Sequence, residues 1–291
     1  MRALTTGIVC LTLFAAACGA PSRGDDDDDN PPPGDGNQQN PDGCSDEAKL
    51  IYVVDVNNQL STYDPTTRQF SDKGLLSCPA MQGATPFSMG IDRNAGAYVL
   101  FNSGELFKVD TATLACQATA WQPGGPSGLL QVFGMGFSTD AAGGTTDKLY
   151  IAGGFGPSLE TTSRLNTLDV GTMAPTQVGT VQEWPELTGT GDAELWGFFP
   201  SETSPRIQKL DKTNGSALQT FNLGTLTGLP MSWAFAFFGG NFHVFLQRDT
   251  ETSTSVYEVN GQTGAISNTL PTGTRSIVGA GVSTCAPTVI L

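Results

Sequence analysis

His243 is the one histidine in 291 residues. That scarcity removes much of the usual chemistry, because imidazole is the side chain that changes charge near neutral pH and the commonest metal ligand. The chain also lacks HExxH, any cysteine–histidine zinc spacing and the Gly-x-Ser-x-Gly nucleophile turn. The expectation is therefore no cofactor and no metal. His243 lies inside the apolar run Phe242-His243-Val244-Phe245, where a packed or interfacial histidine is a plainer reading than a base or ligand. Charge is scarce too, at 14% of residues, and lopsided: 14 basic against 28 acidic side chains, net −14. No basic patch is available to neutralise phosphates, so nucleic acid is not an expected partner. A convincing 3.6-residue apolar period is missing as well. With 36 glycines, the composition favours tight turns and a β-rich body over helices.

Long apolar runs are missing with one partial exception. Arg2 supplies a positive start and Ala3 to Ala17 form a mainly apolar stretch, shorter than the roughly 20 residues that span a bilayer. It ends in Ala15-Ala16-Ala17-Cys18-Gly19, which resembles a bacterial lipobox, with Ala15 where leucine is usual. The resemblance implies a signal peptide over 1–17, cleavage before Cys18 and a lipid on Cys18. It also implies a lipid-anchored protein of the bacterial cell envelope, with Gly19 similar to outer-membrane sorting signals. The plainer alternative is an ordinary secretory signal followed by a chance cysteine.

Residues 18–43 read as a tether. Asp25 to Asp29 stand in a row, followed by Pro31-Pro32-Pro33, Gly34, Gly36 and Pro41, with no large apolar residue. Like charges repel and prolines stiffen, so the segment should stay extended and solvated. Five adjacent aspartates have the chemistry of a calcium site but not its preorganised geometry. From residue 44 onward the chain holds 21 acidic and 12 basic residues, about −9.

What is plentiful is one phrase. An apolar residue, two variable residues, a second apolar residue and then Asp or Asn recur, with Thr or Asn three positions later. The copies are Leu60-Tyr63-Asp64-Thr67, Leu106-Val109-Asp110-Thr113, Leu165-Leu168-Asp169-Thr172, Ile207-Leu210-Asp211-Asn214 and Val256-Val259-Asn260-Thr263. Their Asp/Asn positions are 46, 59, 42 and 49 residues apart, the spacing of a four-stranded propeller blade. The two apolar positions, three apart, point to opposite faces of a third strand and meet both flanking blades. The Asp or Asn then caps the turn into the fourth strand by accepting backbone N–H groups, an Asx turn. Asp64, Asp110, Asp169, Asp211 and Asn260 are accordingly structural.

The expected fold is an all-β, five-bladed β-propeller over 44–291, with six blades as the alternative. Second strands such as Ile51-Tyr52-Val53-Val54 and Leu195-Trp196-Gly197-Phe198 are apolar on both faces because a blade lies between two neighbours. Small residues suit the crowded inner strands, as in Met89-Gly90, Met135-Gly136, Gly189 to Gly191 and Gly279 to Gly281. The first unit, 50–77, has room for only three strands, and 277–283 reads as a lone inner strand. Joining the two closes the ring from both ends of the chain. Beyond Cys10 and Cys18, four cysteines remain, and an even number in an exported domain suggests two disulfides in one of three pairings. Cys44 and Cys285 flank the junction of the two ends, so a Cys44–Cys285 bond is expected, worth about 4–5 kcal/mol by chain entropy. That leaves Cys78–Cys116.

The turn phrase, as in Tyr63-Asp64-Pro65-Thr66-Thr67, resembles that of bacterial repeat propellers of the YVTN and quinoprotein-like type, over roughly 48–283. The resemblance implies architecture and leaves function open, since that fold hosts enzymes, scaffolds and receptors. No Trp-Asp pair ends the third strands, and the sialidase box is absent.

Function is therefore expected in the loops. Those joining outer to next inner strands and second to third strands share one face. They hold Trp121, Trp184, Glu186, Met231 and Trp233 and the segments 155–162 and 248–255. Exposed aromatics suit stacking on a sugar or anchoring a peptide; buried packing is the competing reading for the tryptophans. Non-enzymatic binding of an envelope or extracellular protein or glycan is the leading expectation. The alternatives are a carboxylate-only hydrolase using Asp92, Asp140 and Asp192 around one channel mouth, for which turn capping is the plainer role, and a structural envelope component.

Overall fold

The computed structural model describes residues 43–156 and 161–289. The expected signal peptide over 1–17, Cys18 and all but the last residue of the 18–43 tether lie outside the described residues, as do 157–160. Among the described residues, no helix is long and apolar enough to cross a membrane.

Twenty strands form five antiparallel four-stranded blades. Blade one contains β1 (Ile51–Asp55), β2 (Gln59–Asp64) and β3 (Gln69–Leu75). Blade two contains β4 (Pro86–Ile91), β5 (Gly96–Phe101), β6 (Leu106–Asp110) and β7 (Cys116–Ala118). Blade three contains β8 (Val132–Thr139), β9 (Asp147–Gly154), β10 (Thr162–Leu168) and β11 (Pro175–Gln182). Blade four contains β12 (Glu186–Gly189), β13 (Leu195–Phe199), β14 (Arg206–Leu210) and β15 (Ala217–Asn222). Blade five contains β16 (Pro230–Phe238), β17 (Asn241–Arg248), β18 (Ser255–Asn260) and β19 (Ile266–Pro271). The last strand, β20 (Ile277–Gly281), pairs antiparallel with β1 and becomes the inner strand of blade one. The fold is the five-bladed propeller expected, shut by the expected pairing of its two ends.

Each blade buries both faces. β1 and β13 are buried at every position, as second strands flanked by two blades must be. The core is a set of inter-blade layers: Val54, Leu60, Met89 and Val99 pack between blades one and two, and Phe198, Phe235, Phe242 and Val259 between four and five.

The repeated phrase closes each outer hairpin in one way. The N–H of the residue four after each Asp or Asn donates to that residue's carbonyl: Arg68 to Asp64 at 2.7 Å, Leu114 to Asp110 at 2.8 Å, Met173 to Asp169 at 2.7 Å. Gly215 and Gly264 repeat the bond to Asp211 and Asn260 at 2.8 Å. All five donors have left-handed backbones, with φ between 57° and 81°. Two are glycine, for which that conformation costs least.

Inner strands approach so closely that small residues are obligatory. A Cβ at Gly134 in β8 would lie 2.2 Å from the Pro185 carbonyl oxygen, and one at Gly189 would lie 2.1 Å from that of Phe137.

Antiparallel winding defines two ends. First-to-second and third-to-fourth turns lie on one, the hairpin face; second-to-third loops and blade-to-blade connections lie on the other, the loop face. After β20 the chain emerges on the hairpin face and runs across the ends of the inner strands. Ser283 Oγ donates to the Ala48 carbonyl (2.7 Å), Thr284 Oγ1 to Asp147 Oδ2 of blade three (2.7 Å), and Gly239 N of blade five to the Pro287 carbonyl (2.7 Å). Both expected disulfides are present: Cys44–Cys285, 241 residues apart, and Cys78–Cys116, 38 apart.

Candidate functional site

On the hairpin face the five phrase residues behave as turn caps. Asp110 Oδ1 accepts the N–H groups of Ala112 (2.9 Å) and Thr113 (2.8 Å), and Asp169 Oδ1 those of Gly171 (3.0 Å) and Thr172 (2.7 Å). Asp211 Oδ1 accepts that of Thr213 (2.8 Å), and Asn260 Oδ1 those of Gln262 (3.0 Å) and Thr263 (2.9 Å). Asp64 Oδ1 does the same for Thr66 at 2.8 Å. Such bonds hold the carboxyls of Asp110 and Asp169 below the usual range, and in Asp211 the Thr213 hydroxyl does so ahead of the Thr213 N–H. In Asp64 a little burial pulls the other way and the hydrogen bonds to Thr67 and Thr66 prevail. In each of the four carboxylates one oxygen, Oδ1, is engaged by the backbone of its own turn.

Asp92, Asp140 and Asp192 also occupy this face, each in the first-to-second turn of its own blade. Asp92 Oδ1 caps Asn94 N (2.9 Å) and Gly96 N (2.8 Å), while Oδ2 pairs with Lys108 (3.3 Å). Asp140 pairs with Lys148 at 2.9 Å. Asp192 donates its N–H to Thr190 Oγ1 at 3.2 Å. The C-terminal tail crosses the mouth they were expected to ring. Among the described residues, no group of three or more His, Cys, Asp or Glu side chains could hold a metal.

The loop-face candidates are largely relocated. Trp121 is buried, its Nε1–H donating to the Gly104 carbonyl (3.1 Å) and its ring meeting Phe133 edge-on at 5.4 Å. Trp184 is buried in the same core cluster. Trp233 is half-buried in β16 against the layer between blades four and five. Met231 alone of the five is exposed, at 60%. Glu186 is not a loop residue: it opens the inner strand β12 and is buried. Its carboxyl accepts Ser88 Oγ of blade two (2.9 Å) across β8, along with the N–H groups of Met135 and Leu187. Burial pushes its pKa well above the usual value, and those three donors pull only part of the way back. It ties three inner strands together at the axis. His243 is buried too, facing Tyr63 edge-on at 5.9 Å. Burial lowers its pKa to about 4, against the opposing pull of Glu258 on the neighbouring strand. A neutral packed ring is what results.

What the loop face does expose is aliphatic. Six of the ten large apolar side chains most open to solvent among the described residues belong to it: Leu75, Met81, Leu129, Phe155, Leu229 and Met231. Sequence reasoning included Met231 and, within segment 155–162, Phe155, and passed over the other four. The available signal was a large apolar residue beside proline in an inter-blade connection, as in Cys78-Pro79-Ala80-Met81 and Leu229-Pro230-Met231. A cleft of about 230 Å³ opens between the outer parts of blades three and four, lined by Thr180, Gln182, Arg206, Gln208 and Ser216 among others. Its one charged group, Arg206, is held by Glu183 at 2.8 Å and stacks over Phe199, so the cleft carries no acid or base for catalysis.

No protein-family model and no curated protein matches the chain. Solved structures do. A chain of the nidogen/laminin complex is similar over 84% of this chain and 82% of its own length, with 13% identity and a TM-score of 0.50. A protein of unknown function from Bacteroides caccae is similar over 77% and 73%, at 12% identity and TM-score 0.41. The Dos1 propeller is similar over 81% of this chain and 62% of its own, at 13% identity and TM-score 0.41. At such identities the likeness concerns the fold alone.

Proposed function

We propose that this chain is a lipid-anchored envelope protein, related to the YVTN and quinoprotein-like repeat propellers, whose loop face binds a protein partner without chemistry. The observation that carries this reading is the gathering of exposed Leu, Met and Phe side chains on that face while the tryptophans are withdrawn into the core. Stacking on a sugar ring needs an exposed aromatic face, and the buried Trp121 and Trp184 do not offer one. Flexible aliphatic side chains such as Met81 and Met231 suit an apolar protein surface. Hydrolysis is less well supported, because Asp92 and Asp140 are engaged by their own turns and lysines. The lipobox at Cys18 supports the anchor. Cys44 and the tail after β20 both lie on the hairpin face, opposite the exposed aliphatic side chains.

The test is capture from envelope extract with the full chain and with Met81→Asp/Leu229→Asp/Met231→Asp, using Val170→Asp/Leu218→Asp on the hairpin side as control. The reading requires one defined protein retained by the wild type and control and lost at least tenfold by the triple variant. Equal retention by all three overturns it. Cys18→Ser should abolish metabolic fatty-acid labelling.

A further inference from the structure

The two disulfides sit in opposite surroundings. Cys78 and Cys116 pack among Ala80, Ala84 and Leu114. Cys44 and Cys285 lie under a guanidinium: Arg93 Nη1 is 3.5 Å from Cys44 Sγ and 3.7 Å from Cys285 Sγ. Arg93 is aimed there by the rest of its fork, with Nε donating to Asp147 Oδ2 (2.9 Å) and Nη2 to the Gly144 carbonyl (2.6 Å). A fixed cation beside sulfur favours thiolate over thiol, whereas an apolar pocket does the reverse. The same carboxylate holds the tail through Thr284 Oγ1, and the Cys285 N–H donates to Ser283 Oγ at 3.0 Å. Sulfur, guanidinium and the tail that crosses the inner-strand ends thus form one connected unit.

We propose that Cys44–Cys285 is a thiol–disulfide exchange site, a latch opened by a dithiol reductant, with Arg93 holding the departing thiolate. Cys44 is buried at 3% exposure and Cys285 is more open, so attack falls on Cys285 Sγ. A thiolate of the reductant forms a bond to that sulfur as the Cys44–Cys285 bond breaks, and Cys44 leaves as a thiolate beside Arg93. The second thiol of the reductant then displaces Cys285. Two electrons pass from dithiol to protein and the reductant ends as a disulfide. One of its two protons goes to Cys285 and the other to solvent. Reduction frees residues 282–289 from covalent attachment to the start of blade one and uncovers the hairpin-face end of the axis.

The experiment titrates the full chain in dithiol/disulfide buffers, reading Cys44 and Cys285 by differential thiol labelling with Cys78 and Cys116 read alongside. Arg93→Gln should make reduction of Cys44–Cys285 about tenfold less favourable, a potential about 30 mV more negative, and leave Cys78–Cys116 where it was. In the reduced wild type, the rate of Cys44 alkylation against pH should give a pKa below the ordinary thiol value, a readout that needs no variant. Amide exchange over 282–289 should accelerate at least tenfold on reduction. An unshifted equilibrium in Arg93→Gln, an ordinary or raised Cys44 pKa, or a tail equally protected in both redox states would each overturn the latch.

Discussion

The hairpin face and the loop face are made by the same strands and have opposite economies. The hairpin face is conspicuous in sequence, with its repeated aspartates, glycines and Cys285, and every one of those groups is turned inward on the fold: Asp110 onto its own turn, Thr284 and Cys285 onto the closure. The loop face carries no repeated phrase, and the side chains of Met81, Leu129 and Met231 are left open to solvent on it. In a ring built from repeats, recurrence marks what the scaffold needs at every blade. A binding surface, being needed once, has no reason to recur.

This contrast can be broken by stability measurements. The largest loss belongs to the closure: removing Cys44–Cys285 by the double serine variant should cost about 5.5 kcal/mol, against about 4 for Cys78–Cys116, from the loop lengths of 241 and 38 residues. Denaturant midpoints in the reverse order would mean that the ring does not depend on its ends. Next comes the axis. Gly134→Ala would drive a Cβ to 2.2 Å from the Pro185 oxygen, and we expect about 3 kcal/mol of destabilisation with a shifted β8–β12 contact.

Of similar size is the effect of pH through His243. Its folded pKa of about 4 lies below the unfolded value near 6.5, so the unfolded chain binds more protons between these limits. Stability should therefore fall as pH drops through that window, by about 3 kcal/mol, and level off below it. His243→Phe should remove that slope.

A single turn cap matters less. Asp110→Ala should cost about 1 kcal/mol at neutral pH. Because the carboxyl of Asp110 is held below its usual pKa by Thr113 and Ala112, its contribution is present above about pH 4 and disappears as pH falls through the folded value. Asp110→Asn, copying Asn260, should keep the cap and lose that pH dependence. Smallest of all, Met81→Asp/Leu229→Asp/Met231→Asp should change the unfolding free energy by under about 0.5 kcal/mol per site. A drop of several kcal/mol would place the loop face among the scaffold elements and erase the distinction.

Much of the architecture was legible because it is local. Asp64 needs only Thr66 and Thr67 to make its turn, so the cap is written within four residues. Ring closure could be read from counting strands, since three in the first unit left β20 over. Exposure could not be read in this way. Trp121 looked like a loop aromatic, yet its indole donates to Gly104, 17 residues away, and packs on Phe133. Glu186 looked like a rim acid until Ser88, 98 residues distant and two blades away, appeared opposite it.

By itself, then, the sequence determined a ring of repeated four-stranded units and the caps of their hairpins, because both follow from periodicity and from short-range hydrogen bonding; five blades rather than six, and the pairing of the cysteines, were expectations that the tertiary structure decided. Only the tertiary structure decided which apolar side chains face solvent, which acid is buried at the axis and that Arg93 leans on the closing disulfide. Those outcomes depend on how five similar sheets are brought together around one axis, and burial is a property of that assembly rather than of any residue within it.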